Sequence, residues 1–329
     1  MNLLTRRWRT SRPRDLIAGH RADTAALGTG IVSVVIPLYN HASFIREAVE
    51  SVLAQGSILR EIIVVDDGSS DDSAAVMRPL CEKDERIIFW SQPNRGAHAA
   101  INAGLRRATG EVLAILNSDD AFAPGRLATL VAAMDDESAD VAASGISFMN
   151  DVGEAVSNSW YDEAVRYFNS CGDMALALIN GNFLMTTSNI VMRRRLLDEI
   201  GLFAPLRYMH DLDFFLRVLV RGKRLVFQPV PLLCYRIHGR NTIKENHQNV
   251  RLEWAAVTAF FLTSLWDRPD SEPIEWQRAK AVEGILSRHA LILPVHLCMA
   301  YLRRHPTDTM ERSPLLFDEA FRDILAGCV

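Results

Sequence analysis

The chain has 329 residues, of which 49% are hydrophobic and 23% charged, and its formal net charge at pH 7 is −4. This composition is typical of a folded globular protein and excludes a largely disordered one, and the length allows one large domain or two of ordinary size. A net charge this close to zero excludes the broad basic surface of a nucleic-acid-binding protein, so no nucleic acid partner is expected.

Residues 1–30 are predicted to form a basic N-terminal arm. The stretch "MNLLTRRWRTSRPRDLIAGHR" contains several arginines but no apolar core segment, so it lacks the organisation of a secretory signal. We expect this arm to dock loosely or to contact a membrane surface or a partner.

Residues 31–150 alternate short apolar runs with amphipathic segments, at the rhythm of β-α-β units. The apolar runs are nearly continuous, as in strands covered by helices on both faces, so the sequence predicts an α/β fold with a mostly parallel central sheet flanked by helices. The predicted strands are "IVSVVIP", "EIIVVDD", "RIIFWSQ", "EVLAILNS" and "DVAASGISF", and the predicted helices are "ASFIREAVESVLAQ", "SDDSAAVMRPLCEK", "AHAAINAGLRRA" and "GRLATLVAAM".

The regular alternation is lost after residue 150. Residues 151–244 are predicted to elaborate the same sheet with a helix and loops that close over a site, and residues 245–329 to form a helical C-terminal extension. The apolar runs at 254–266 and 289–302 are too short to span a bilayer, and we interpret them as packed helices that could also rest on a membrane surface. Their apolar faces fit burial in the same chain or against a second copy, so the oligomeric state is open.

Polar residues follow four of the predicted strands, where an open α/β sheet binds its ligands. Acids crowded at one edge repel one another and raise one another's pKa unless a cation lies between them. A hard divalent cation such as Mg²⁺ or Mn²⁺, held by carboxylates and substrate phosphates, would resolve the crowding. The strand ends are "PLYN" at 37–40, "DDGS" at 66–69, "QPNRG" at 92–96 and "NSDD" at 117–120.

The order of these motifs resembles a known enzyme family. "VSVVIPLYNHASF", "EIIVVDDGSSDDS" and "NRGAHAAINAGLRRATGEVLAILNSDD" are similar to the nucleotide-sugar-binding half of the family 2 glycosyltransferases, which have the GT-A fold. The resemblance covers about residues 31–240. It implies a Rossmann-like nucleotide-sugar-binding half at 31–150 and an acceptor and catalytic half at 151–244.

The resemblance assigns the donor site position by position. Pro37, Tyr39 and Asn40 match the segment beside the base and ribose, and Asp66 matches the acid expected to hydrogen-bond the base. The other positions that we assign to the nucleotide sugar are Asp67, Arg95, Asn102, Asn117 and Ser118.

The stretch "NSDD" matches the family's metal-binding DxD motif. Asp119 is its second acid, whereas the first position is Asn117, an amide that brings no charge. Asp120 and His238, the latter in "YRIH", are further candidate metal ligands. The implied cofactor is Mg²⁺ or Mn²⁺.

The stretch "HDLDFFLRV" resembles the family's ED-type helix start, in which an aspartate is the general base. An acceptor hydroxyl is a poor nucleophile until a positioned base takes its proton, and Asp211 has that position. His210 stands where the family usually has Glu, and Asp213 and Arg217 follow as supporting residues. Arg236 is expected to pair with phosphate or with Asp213.

The implied function is a metal-dependent inverting glycosyltransferase. It would move a sugar from a nucleoside diphosphate sugar to an acceptor hydroxyl on a glycan or a lipid-linked glycan, in polysaccharide or glycoconjugate synthesis. Trp160 and Tyr161 are candidates for stacking on an acceptor sugar, with burial in the core as the alternative.

Other functions are weighed against this one. A sugar-nucleotide nucleotidyltransferase would need a Gly-rich basic loop after the first strand, and a dinucleotide-dependent oxidoreductase would need GxGxxG there; "PLYNHASF" is neither. A nucleotide-binding pseudoenzyme or scaffold remains the alternative because Asn117 and His210 depart from charged motif positions. The five cysteines lack metal-site spacing, which favours reduced thiols and a cytoplasmic location, with the inner face of the membrane as a further expectation.

Overall fold

A computed structural model describes residues 28–266, 276–307, 310, 313, 315 and 317–328. The prediction of a basic arm at 1–30 therefore lies almost wholly outside the described residues. The C-terminal extension predicted at 245–329 is described over most of its length.

The first half of the sheet is parallel, in the order β3-β2-β1-β4. Every residue of β1 and β4 is buried, because helices cover both faces of this part of the sheet. These strands are β1 (Val32–Leu38), β2 (Leu59–Asp66), β3 (Ile87–Ser91) and β4 (Val112–Ile115). The helices between and after them are α1 (Ile45–Leu53), α2 (Ser73–Lys83), α3 (Ala97–Arg107) and α4 (Arg126–Asp136).

The second half of the sheet continues β4-β8-β6-β9-β5, with β7 on the far side of β6. β8 is antiparallel to both β4 and β6, whereas β6 and β9 are parallel over nine residue pairs. The sheet as a whole is mostly parallel, which confirms the predicted α/β fold class. The strands are β5 (Ala121–Phe122), β6 (Val141–Met149), β7 (Ala155–Val156), β8 (Val191–Arg193) and β9 (Leu225–Arg236).

Helix α3 packs unusually close to the sheet at Gly104. A Cβ added there would lie 2.4 Å from Cγ1 of Val35 in β1, which is closer than any carbon contact allows. The absent side chain thus lets α3 lie directly on the buried strand, and this sets the depth of the residues on that helix.

The remaining helices surround the second half of the sheet. They are α5 (Ser159–Cys171), α6 (Met174–Asn180), α7 (Leu196–Ile200), α8 (His210–Val220), α9 (His247–Trp266), α10 (Trp276–Arg288), α11 (Ile292–Arg304) and α12 (Glu319–Ala326). Buried residues of α9, such as Ala255 and Phe261, belong to the same apolar core as Val35 of β1 and Phe214 of α8. The C-terminal helices therefore share their hydrophobic core with the sheet.

Over the ranges that the structure describes, no single helix combines the length and hydropathy needed to cross a membrane. Among the described helices, α10 and α11 meet that test when taken together, and they are bent by 117° where they join.

Candidate functional site

The carboxyl ends of β1, β2 and β4 lie at the same edge of the sheet because the three strands are parallel neighbours. Asn40 connects the loop after β1 with the loop after β2. Its backbone N–H donates to Ser69 Oγ (2.9 Å), and its Oδ1 accepts from the Ser70 N–H (2.8 Å). Asn40 has a φ of 53°, a left-handed conformation that asparagine tolerates better than most residues. Tyr39 beside it is 49% exposed, whereas Pro37 is buried in β1.

Two buried carboxylates hold the loops after β2 and β3. Asp66 accepts from the Ser69 N–H (3.0 Å) and from Ser91 Oγ (2.8 Å). Asp67 accepts from Gln92 Nε2 (2.8 Å) and from the backbone N–H groups of Arg95 (3.0 Å) and Gly96 (2.7 Å). These contacts shape the loops around the predicted binding site of the nucleotide base. The Arg95 side chain is exposed at the edge of these loops.

Asn102 and Asn117 both use their amides to hold other segments. Asn102 exchanges two hydrogen bonds with the backbone of Phe203, at 2.9 and 3.0 Å. Asn117 donates to Thr186 Oγ1 (2.9 Å) and accepts from Thr187 Oγ1 (2.9 Å). Asn117 thereby ties the end of β4 to the 186–189 segment with one donor and one acceptor, a combination that an ionised carboxylate lacks. Direct contact of either amide with a nucleotide stays a prediction.

Three side chains at this edge form a cluster that could hold a cation. The potential ligand atoms of His41, Asp119 and His238 all lie within 4.8 Å of one another. His238 Nε2 is 3.0 Å from Asp119 Oδ2, and His41 Nδ1 is 2.8 Å from Ser118 Oγ. Asp119, His238 and Ser118 were predicted from the sequence, whereas His41 was not, although it directly follows the "PLYN" strand end.

The electrostatics of this cluster favour the ionised form of Asp119 and disfavour a protonated His41. Burial alone would raise the pKa of Asp119, but the hydrogen bond from His238 and the charges of His41 and His238 outweigh it, so the pKa lies below its ordinary value. Burial lowers the pKa of His41 despite the opposing charge of Asp119. A neutral imidazole keeps a lone pair for a metal ion, and an ionised carboxylate is a suitable second ligand.

The hydrogen bonds of His238 define its tautomer. The backbone N–H of Arg240 donates to His238 Nδ1 (3.1 Å), so in the neutral ring the proton is on Nε2, which faces Asp119. Coordination of a cation through Nε2 requires the proton on Nδ1 and therefore requires the Arg240 N–H to move away. His238 can thus orient Asp119 as it stands, or coordinate a cation after this local change.

Asp120 is buried directly behind the cluster and lies outside it. Its Oδ2 accepts from Ser188 Oγ (2.6 Å) and its Oδ1 from the Arg236 N–H (3.0 Å). Burial, reinforced by the negative charge of Asp119, raises its pKa well above the ordinary value. Asp120 therefore links the end of β4 to β9 and to the 186–189 segment, and its predicted role as a metal ligand has no support from this geometry.

Of the two partners predicted for Arg236, phosphate stays a prediction, and the pairing with Asp213 is wrong. The buried guanidinium of Arg236 instead bonds Glu47 Oε2 (2.5 Å) and the carbonyl of Asp119 (2.8 Å), and it stacks over the ring of Phe44. Asp213 pairs with Arg217 at 2.9 Å, one turn along α8, which is the geometry of residues four apart in a helix. Arg236 thus fixes the backbone of Asp119, and Arg217 fixes α8.

Asp211 lies in the first turn of α8 and is only 7% exposed. Asn182 Nδ2 donates to its Oδ2 (2.9 Å), and the Leu212 N–H donates to its Oδ1 (2.7 Å). Burial raises the pKa of Asp211 to about 7, against the effect of these hydrogen bonds. The carboxyl therefore exchanges a proton close to neutral pH, as a general base must.

Two further residues connect Asp211 with its surroundings. The pKa of Tyr235 in β9 is raised, mainly by burial and then by the negative charges of Asp120, Asp119 and Asp211. The two acids that follow β4 and the acid of α8 therefore all lie near the Tyr235 phenol. Burial lowers the pKa of His210 to about 4, and its Nδ1 has no hydrogen-bond partner among the described residues. His210 is therefore a neutral ring at physiological pH.

The two aromatic candidates for acceptor stacking have different environments. Tyr161 is buried, and its hydroxyl accepts from the Ile146 N–H (2.9 Å), so it belongs to the core. Trp160 is 49% exposed, and its ring lies against Gly181, where an added Cβ would be 3.1 Å from Cζ2. Gly181 directly precedes Asn182, the residue that holds Asp211. Of the two rings, Trp160 is therefore the accessible one near the predicted general base, Asp211.

Solved structures show the class to which this arrangement belongs. S. aureus TarS in complex with UDP-GlcNAc superposes with a TM-score of 0.56 at 18% identity, covering 90% of this chain and 89% of that chain. The mannosyltransferase PcManGT from Pyrobaculum calidifontis, in complex with GDP-Man and Mn²⁺, superposes with a TM-score of 0.57 at 17% identity, covering 91% and 86%. The chain has the GT-A-type glycosyltransferase fold.

Sequence comparison identifies the family. The model of glycosyl transferase family 2 matches residues 33–201, about half of the chain, so the chain belongs to that family. An uncharacterized glycosyltransferase of Nostoc sp. is 32% identical over 216 residues, which cover 64% of this chain and 66% of the relative. An uncharacterized glycosyltransferase of Rickettsia felis is 45% identical over 91 residues, which cover 28% of this chain and 15% of the relative.

Proposed function

We propose that the protein transfers a sugar from a nucleoside diphosphate sugar to a hydroxyl of a glycan or a lipid-linked glycan, in a cation-dependent reaction that inverts the anomeric carbon. The single observation that carries this proposal is that two groups with complementary chemistry lie near the Tyr235 phenol. One is the cluster of His41, Asp119 and His238, and the other is Asp211, whose pKa of about 7 suits proton transfer.

The cluster fits a divalent cation by its chemistry. One ionised carboxylate and two imidazoles leave room for phosphate oxygens to complete the coordination of Mn²⁺ or Mg²⁺. The two ring nitrogens favour Mn²⁺ over Mg²⁺, which prefers oxygen ligands. When bound, the cation would stabilise the negative charge that develops on the departing diphosphate.

The protein's own residues account for the proton and for orientation. Asp211 Oδ accepts the proton of the acceptor hydroxyl as that oxygen bonds to the anomeric carbon, while the bond to the diphosphate oxygen breaks with its electron pair. Asn182 holds the carboxylate in position through Oδ2. Attack from the face opposite the leaving group inverts the anomeric centre, and one displacement needs no covalent sugar–enzyme intermediate.

The donor can be identified by titration calorimetry of the purified protein with UDP, GDP and dTDP, each with MnCl₂ and with EDTA. We expect one nucleotide to bind in a Mn²⁺-dependent way, because the proposed cation joins the diphosphate to Asp119. If no nucleotide binds under any of these conditions, the proposal fails, and a GT-A scaffold without transfer activity becomes the better interpretation.

Trp160 is the proposed platform for an acceptor sugar ring. Trp160→Ala is expected to raise the KM for the acceptor about 2- to 13-fold, since aromatic stacking contributes roughly 0.5–1.5 kcal/mol, and to leave nucleotide binding unchanged. Steady-state kinetics with acceptor varied at saturating donor measures this effect. Trp276→Ala is a suitable control, because Trp276 is 80% exposed and lies on α10. An unchanged acceptor KM in Trp160→Ala would contradict the proposed stacking of the acceptor sugar on Trp160.

A further inference from the structure

Glu253 in α9 binds the segment that leads directly into the helix of the proposed base. Its Oε1 accepts from the backbone N–H of Arg207 (2.9 Å), and its Oε2 accepts from those of Tyr208 (2.7 Å) and Met209 (3.0 Å). Helix α8 begins at the next residue, His210, and Asp211 follows. One carboxylate thus satisfies three consecutive N–H groups ahead of the turn that carries Asp211.

Such contacts constrain a segment strongly. Hydrogen bonds from backbone N–H groups to an ionised carboxylate are stronger than bonds between neutral groups. Burial raises the pKa of Glu253, and the three N–H groups oppose that rise. The N-cap residue of α8, Met209, makes no side-chain capping bond, and within the first turn Asp211 accepts from the N–H of Leu212.

The C-terminal helices also hold the second segment that contacts Asp211. Trp254, the residue after Glu253, donates from Nε1 to the Ile179 carbonyl (3.2 Å), and Arg288 of α10 bonds Asn180 Oδ1 (3.0 Å). Two residues further on, Asn182 donates to Asp211 Oδ2. The base is therefore flanked by two segments, 179–182 and 207–209, and both are attached to helices that lie beyond the residues matched by the family model.

We propose that α9 and α10 act as a clamp that positions Asp211, with Glu253 as its principal positioning residue. This inference rests on the proposed role of Asp211 as the base. It gives the C-terminal helices a part in the reaction although their residues contribute no group to the proposed donor site. Among the described residues, the titratable groups near Asp211 include His210 beside it in α8, Glu253 from α9 and Tyr235 from β9.

Glu253→Gln tests the clamp against a purely architectural role. The glutamine side chain carries no negative charge, and its single amide oxygen cannot replace both carboxylate oxygens. The N–H groups of 207–209 therefore lose part of their hydrogen bonding. Glu245→Gln is the matched control: Glu245 contacts the same Arg207, but through the exposed guanidinium (2.8 Å) rather than the backbone. Exposed ion pairs of this kind contribute little to stability.

Three measurements on the folded variants decide the question. In Glu253→Gln we expect hydrogen exchange of the 207–209 amides to become at least about 10-fold faster, as loss of one such bond predicts. We expect the Asp211 pKa, followed by carboxyl ¹³C NMR, to fall, because the negative charge of Glu253 raises it. With the nucleotide found by calorimetry, binding should be unchanged while transfer slows. Glu245→Gln should match the wild type in all three.

Unchanged exchange at 207–209 and an unchanged Asp211 pKa in Glu253→Gln would overturn the clamp. If that variant does not fold, Glu253→Asp keeps the charge but shortens the side chain, and faster exchange of the same amides is still expected. An active Asp211→Asn enzyme would overturn the base assignment, while the exchange data would still decide whether Glu253 holds the segment.

Discussion

Asp211→Asn is expected to lower the rate of sugar transfer by roughly 10²- to 10⁴-fold, the usual contribution of a positioned general base. An amide keeps the size of the side chain and can still bond Asn182, but it cannot take the acceptor proton. Nucleotide binding in the presence of Mn²⁺ should be unchanged, because Asp211 lies on α8 and not at the strand ends. Release of UDP or GDP in a coupled assay measures the transfer rate.

Asp162→Asn is the matched control for this change, since Asp162 is an exposed acid in the first turn of α5. It should transfer sugar at the wild-type rate. Equal losses in the two variants, or full activity in Asp211→Asn, would contradict the assignment of the base.

The raised pKa of Asp211 also gives the same variant a pH signature. Wild-type activity should rise as the pH increases through about 7, because only the ionised carboxylate accepts a proton. Between about pH 4 and 7, Asp211 is protonated in the folded state and ionised in the unfolded state. The stability of the wild type therefore falls as the pH rises through that window. Thermal unfolding of Asp211→Asn should therefore gain more relative to wild type at pH 8 than at pH 5, and a gain independent of pH would contradict this burial argument.

Asp119→Ala is expected to weaken Mn²⁺-dependent nucleotide binding by at least about 100-fold, because it removes the charged ligand of the cluster. Without the carboxylate, His41 and His238 offer two ring nitrogens and no negative charge to hold a cation beside a diphosphate. Calorimetry with MnCl₂ and with EDTA measures the loss. His41→Ala should give a smaller loss in the same experiment, since the carboxylate and His238 remain.

The EDTA titration provides the internal control for this prediction. In EDTA, wild type and Asp119→Ala should bind the nucleotide with the same weak affinity, because the remaining contacts come from the protein alone. A variant that retains Mn²⁺-dependent binding would show that the cation is held elsewhere.

The sequence alone was sufficient for the parallel half of the sheet and for the position of its polar edge. Apolar runs such as "IVSVVIP" and "EIIVVDD" report burial on both faces, and neighbouring parallel strands necessarily end at the same edge, so Asp66, Asp119 and Asn40 could be placed together. The helix start at His210 followed from the resemblance of "HDLDFFLRV" to the family's motif, which is local in the sequence.

Contacts between distant segments were decided only by the tertiary structure. The cluster joins His41, Asp119 and His238 from three separate loops, Arg236 meets Glu47 rather than Asp213, and Glu253 reaches the 207–209 segment across the interface of α9 and α8. β8 likewise enters the sheet between β4 and β6. Local periodicity reports which face of an element is buried but not which element covers it, because the partner depends on how the whole core packs.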